Sequence, residues 1–155
     1  MLEFIALLLP YQLEMVGIMK QANWKLEENS GLCDMSQVVF AWTSAENKIG
    51  ICLNNIEKHI AVGGHSPAVS KSMVKNMVNQ AVTHEAVHVA QMCNKRSPVL
   101  TTRVKLDELT ASQKKSVVRS MAYTLNLSSA ALEAEAYYME KSPLLTTYML
   151  KRYCL

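Results

Sequence analysis

The stretch Ser66-Pro67-Ala-Val-Ser-Lys-Ser-Met73-Val74-Lys-Asn-Met77-Val78-Asn-Gln-Ala81-Val82-Thr83-His84-Glu85-Ala-Val-His88-Val-Ala-Gln-Met-Cys93-Asn94 decides the reading of this chain. Its apolar residues Met73, Met77 and Ala81, with Val74, Val78 and Val82, recur every three to four positions, which predicts a helix with one face turned to a core. Ser66 suits the N-cap. Pro67 suits the first helical position, where its missing N–H costs nothing. The same face runs on into His84 and His88. Four residues apart on a helix, two imidazoles lie one turn from each other and can reach a single cation. Glu85 follows about 100° further round, near enough to exchange a proton with a water held there without becoming a ligand itself.

Around this helix the rest of the chain reads as a small α+β unit. Residues from about Leu2 to Leu26 have helical periodicity, ended by Glu27-Glu28-Asn29-Ser30-Gly31. Gln37 to Trp42 and Lys48 to Leu53 read as two strands joined by a polar turn, and Ile60-Ala-Val62 as a third. Thr110-Ala-Ser-Gln113 is a capping box for a helix through Tyr123. Ser128 or Ser129 starts a helix over Ala130 to about Lys141, and Pro143 starts the last one.

The chain has 155 residues, 50% of them apolar, with a net charge of +3. That size suits one domain, 1–155, with its own core. Its charge is too mild to signal nucleic acid. The most basic stretch carries Lys95, Arg96, Arg103, Lys105, Lys114, Lys115 and Arg119 against Asp107 and Glu108, without interleaved aromatics, and reads as a solvated face. No nucleic-acid partner is expected. Met1 to Pro10 makes a poor targeting segment, with Glu3 where a basic residue would stand, and no run is long enough to span a bilayer. A soluble, cytoplasmic protein is therefore expected. The cysteines Cys33, Cys52, Cys93 and Cys154 form no C-x-x-C pair, and buried free thiols are their expected state in that compartment.

A catalytic zinc takes three protein ligands and leaves a fourth place open. After His88 the sequence contains no histidine. A third ligand is then expected from a carboxylate on the downstream helix, where Glu133 and Glu135 point to different sides. His59 and His65 flank a glycine turn and read as solvent-facing or hydrogen-bonded. Tyr123, Tyr137 and Tyr138 read first as packed side chains and second as donors to a developing oxyanion.

His84-Glu85-x-x-His88 followed 45 residues later by Glu133-x-x-Ala136 resembles the gluzincin branch of the zincin-like metallopeptidases. With Ile51-Cys-Leu-Asn-Asn55, the pattern is similar to the compact metalloproteases related to the mitochondrial ATP-synthase-subunit processing peptidase. The resemblance covers about residues 50–140. It implies a minimal zincin-like fold and a Zn²⁺ ion held by His84, His88 and Glu133. It also implies Glu85 as general base and acid in hydrolysis of a peptide or protein substrate. Many members carry an acidic residue directly after the alanine, where this chain has Tyr137. Lys48 to Asn54 would be the edge strand that pairs with substrate. A zincin-shaped module that binds a protein partner without catalysis is the alternative.

Overall fold

A computed structural model describes residues 2–101, 108–124 and 129–155. The predicted helix over Leu2 to Leu26 is three elements. Glu3–Leu7 forms a 3-10 turn, Pro10–Gln21 forms α1, and Lys25–Glu28 forms strand β1. Proline disfavours helical geometry in the residue before it, so Leu9 is extended, with ψ 164°. The Asn79 side chain clamps that break, accepting from the Leu9 N–H at 2.8 Å and donating to the Leu7 carbonyl at 2.9 Å. At the other end Asn23 takes φ 62°. Its N–H bonds the Lys20 carbonyl at 3.1 Å, and the Trp24 N–H bonds Met19 at 2.9 Å. This paired closure stops the helix and turns the chain into a strand. Periodicity could not show it, because the apolar pattern continues through Trp24 and Leu26.

Next come α2 (Leu32–Met35), β2 (Ala41–Ser44), β3 (Lys48–Ile51) and α3 (Leu53–Ala61). Ile60-Ala-Val62 is therefore not a strand. Leu53, Ile56 and Ile60 bury one side of α3 at helical spacing. The first predicted strand starts four residues late because Asn55 Nδ2 captures the carbonyls of Cys33, Ser36 and Val39 at 3.1, 3.0 and 2.9 Å. That holds 36–39 as an irregular wall.

The sheet order is β1-β3-β2, with β1 parallel and β2 antiparallel to β3. Lys48 to Asn54 thus supplies the central strand, not an edge. Its pairing needs a glycine at 50. The Trp42 indole crosses that position so closely that a Cβ would lie 2.1 Å from Nε1, which instead donates to the Ser30 carbonyl at 3.1 Å. The edges belong to β1 and β2, and β2 is the one packed beside α4. The Cys52 N–H bonds the Phe40 carbonyl at 2.9 Å, and the register pairs Trp42 with Gly50. By antiparallel alternation, Trp42 and Ser44 face β3 while the backbone groups of Ala41 and Thr43 point outward.

Behind the sheet, α4 (Pro67–Cys93) runs through the middle of the molecule, touching α1, α3, β2, β3 and two later helices, α6 (Ser129–Met139) and α7 (Pro143–Cys154). Val78, Val82, Ala86, Val87, Val89 and Ala90 bury its core side. The predicted capping box opens α5 (Ala111–Thr124). There the Gln113 N–H donates to Thr110 Oγ1 at 3.2 Å while Gln113 Oε1 accepts from the Thr110 N–H at 3.0 Å. The fold class is α+β.

The cysteines are not free thiols. Cys33 is bonded to Cys52, and Cys93 to Cys154. Nothing in the spacing distinguishes a buried thiol from half of a bridge; the packing of α2 on β3 and of α4 on α7 brings the partners together. Among the described residues, no helix is long and apolar enough to cross a membrane.

Candidate metal centre

His84 and His88 lie on successive turns of α4 with their Nε2 atoms 3.2 Å apart. Packing of α6 against α4 brings Glu133 to both. Its Oε2 is 3.4 Å from His84 Nε2 and its Oε1 is 3.2 Å from His88 Nε2. Three atoms bonded to one zinc at about 2.0–2.2 Å in tetrahedral arrangement would be about 3.3–3.5 Å apart. Each imidazole faces a different oxygen of Glu133, and the spacings of 3.2–3.4 Å lie close to that range. Among the described residues, His84, His88 and Glu133 are the group arranged so that a cation could be held.

The outer nitrogens explain why the inner ones are available. His84 Nδ1 is 2.9 Å from Glu140 Oε2, and Glu140 is itself held by Gln80 Nε2 at 2.7 Å. His88 Nδ1 is 2.8 Å from Gln91 Oε1. A carboxylate and an amide oxygen only accept, so each Nδ1 must carry the ring proton and each Nε2 presents a lone pair. With both rings neutral, the two Nε2 atoms and the Glu133 carboxylate therefore converge with no donor among them. Glu133 Oε2 is buried without a hydrogen-bond partner. Such a constellation repels itself unless a proton or a cation sits inside it.

The protonation behaviour follows. Burial pushes the His84 pKa down, but the bonds its protonated ring can make to Glu133 and Glu140, with the charges of Glu85 and Glu133, outweigh burial and hold it well above 6.5. His88 is also raised; burial and the His84 charge lower it, but the Glu133 bond and the Glu133 and Glu85 charges prevail. Burial raises the Glu133 pKa, yet bonding to and the charge of the facing His84 and His88 rings, when these are protonated, hold it well below the usual carboxylate range. A proton and a metal ion compete for the same atoms. The sign is fixed by the raised histidines: zinc affinity should fall as pH drops through the His84 value, by about tenfold per pH unit for each proton displaced. Chelator-competition titrations between about pH 6 and 9 would check this. With zinc removed, the histidine contribution to stability should be complete below about 6.5 and lost as pH rises through the raised value.

Glu85 is buried on α4, and Thr43 Oγ1 on β2 donates to its Oε2 at 2.5 Å. Among the described residues its Oε1 accepts no hydrogen bond. Both groups line a cavity of about 590 Å³ that also contains His84, His88 and Glu133, with Phe40, Trp42, Met77, Met92 and Leu132 supplying apolar wall.

All four predicted site residues thus meet in one place. Glu135 does not join them. It faces away, accepting from the backbone of Leu100 and Thr101 and from Gln91. Tyr137 packs its ring on His84 at 4.5 Å and lines the cavity, whereas Tyr138 is exposed. His59 packs on Phe40 and His65 is exposed, both apart from the cluster. Lys95, Arg96, Lys114 and Lys115 are exposed. Arg103, Lys105, Asp107 and Ser128, and the side chains of Arg119 and Tyr123, lie outside the described residues.

Sequence reading missed Thr43, Gln80, Gln91 and Glu140. Glu140 had a signal, since it stands seven residues after Glu133 and so on the same helical face. It supplies a carboxylate to a ring nitrogen of His84, where the position after Ala136 holds Tyr137.

Residues 4–155 match the model of a family described as Domain of unknown function (DUF8637). No curated protein and no solved structure matches the chain.

Proposed function

The chain belongs to the DUF8637 family, and from its own site we propose that it is a zinc-dependent endopeptidase with His84, His88 and Glu133 as ligands and Glu85 as general base and acid. One observation carries this reading: two imidazole Nε2 atoms 3.2 Å apart, each 3.2–3.4 Å from an oxygen of the Glu133 carboxylate, beside a buried glutamate that is not one of the three. The His2Glu donor set suits zinc, which when bound polarises a peptide carbonyl and acidifies a water in the open place.

The chain's own groups supply the rest. Thr43 occupies Glu85 Oε2, so Oε1 is the atom left to take a proton and pass it to the leaving amide nitrogen. The outward N–H and C=O groups of Ala41 and Thr43 on β2 suit an extended peptide, which would run past Glu85 as an added strand. The role placed on Lys48 to Asn54 passes to β2. Glu140, 2.9 Å from His84 Nδ1, orients that ring, which supports the catalytic reading over a zincin-shaped binding module. The two disulfides favour work in an oxidising compartment in place of the cytoplasm.

Zinc near one per chain should co-purify or bind on titration. Hydrolysis of an unstructured protein should stop on chelation and return with zinc. A chain that binds zinc yet cleaves no unfolded substrate would end the peptidase reading.

A further inference from the structure

Glu135 is a carboxylate that the proposed chemistry leaves without a role, and it is 2% exposed. Its two oxygens serve donors from three directions. Leu100 N–H reaches both at 3.0 Å, Thr101 donates from N–H at 2.6 Å and Oγ1 at 2.9 Å, and Gln91 Nε2 donates at 2.9 Å. A charge buried this deeply is tolerable because every side of it meets a donor. Gln91 is the connection to the site. Its Nε2 also donates to the Leu132 carbonyl at 3.0 Å, so both amide hydrogens are spent and Oε1 is turned to His88 Nδ1 at 2.8 Å.

The direction of that amide has a chemical consequence. With Oε1 facing it, His88 Nδ1 must carry the proton and Nε2 is bare. With the amide reversed, Nε2 of Gln91 would donate to Nδ1, the proton would move to His88 Nε2, and that atom could no longer bind a cation. Two acceptors, the Leu132 carbonyl and Glu135 Oε2, hold the amide the right way round.

We propose that Glu135 is a positioning residue, which through Gln91 keeps His88 in the tautomer whose Nε2 faces the metal centre and ties the turn at Leu100 and Thr101 to the same network. This rests on the metal reading for its purpose, though the tautomer itself does not. In Glu135→Gln one oxygen becomes an NH2 group, which cannot accept from both Gln91 and the 100–101 backbone. In Gln91→Met the link is removed while the bonds from Leu100 and Thr101 to Glu135 remain.

Two measurements test it. Long-range ¹H–¹⁵N correlation spectra of the zinc-free protein at alkaline pH, where both imidazoles are neutral, report the His88 tautomer. Zinc affinity is measured by competition with a chromophoric chelator. The wild type should show the proton on Nδ1 of His88. Both variants should populate the Nε2–H form and bind zinc about 10- to 100-fold more weakly, while His84 keeps its proton on Nδ1. Should Glu135→Gln fail to fold, Gln91→Met decides. A folded variant with His88 protonated at Nδ1 and wild-type zinc affinity overturns the proposal. A wild type that binds no zinc, but whose His88 tautomer switches in the variants, keeps the positioning role and removes the enzymatic reading instead.

Discussion

Glu85→Gln should abolish hydrolysis and leave zinc in place. The side chain is isosteric, Thr43 can still donate to its carbonyl oxygen, and none of the three convergent atoms is touched. What disappears is a group able to accept a proton. Loss of general acid–base assistance costs about 10²- to 10⁴-fold, so kcat on an unstructured protein should fall by at least that much. Metal content should stay near one per chain. Retention of wild-type kcat would show that another group moves the proton. Loss of zinc together with activity would assign Glu85 a part in holding the ion.

The second large effect is reduction of the disulfides. They join residues 19 and 61 positions apart, and closing loops of those lengths restricts the unfolded chain by about 3 and about 4 kcal/mol in the chain-entropy treatment. Together that rivals the 5–15 kcal/mol by which domains of ordinary size are stable. A reducing agent should therefore bring the fully reduced chain close to unfolding at room temperature, as read by urea titration. Cys93→Ser paired with Cys154→Ser should cost more than the pair at Cys33 and Cys52. The Cys93 bridge also matters to the site, because it pins the end of α4 five residues beyond His88. Unchanged urea midpoints after reduction would show that the core carries the fold without either bridge.

Some of this was legible in the residues because it depends only on near neighbours along the chain. Ser66 and Pro67 open α4, its apolar spacing sets the buried face, and the four-residue step from His84 to His88 aligns two rings by helix geometry alone. Thr110 and Gln113 cap α5 for the same local reason. Even the break at Pro10 had a signal in the proline, although the apolar period outvoted it. Asn23 had none, since a left-handed asparagine looks like any other until its hydrogen bonds are known.

The sequence by itself determined the α+β class, the central helix, its paired imidazoles and the glutamate beside them. Helix periodicity left open which carboxylate faces them, although the family resemblance pointed to Glu133: Glu133 and Glu135 are both acidic and two residues apart, and the way α6 lies on α4 turns one inward and the other to Leu100 and Thr101. Tertiary structure decided likewise that β2 is an edge strand beside the site, that Glu140 and Gln91 orient the rings, and that the cysteines pair. The physical reason is common to all of these. A ligand, an edge or a bridge is a relation between segments tens of residues apart, fixed by the burial of whole faces against one another and not by the preference of any one residue.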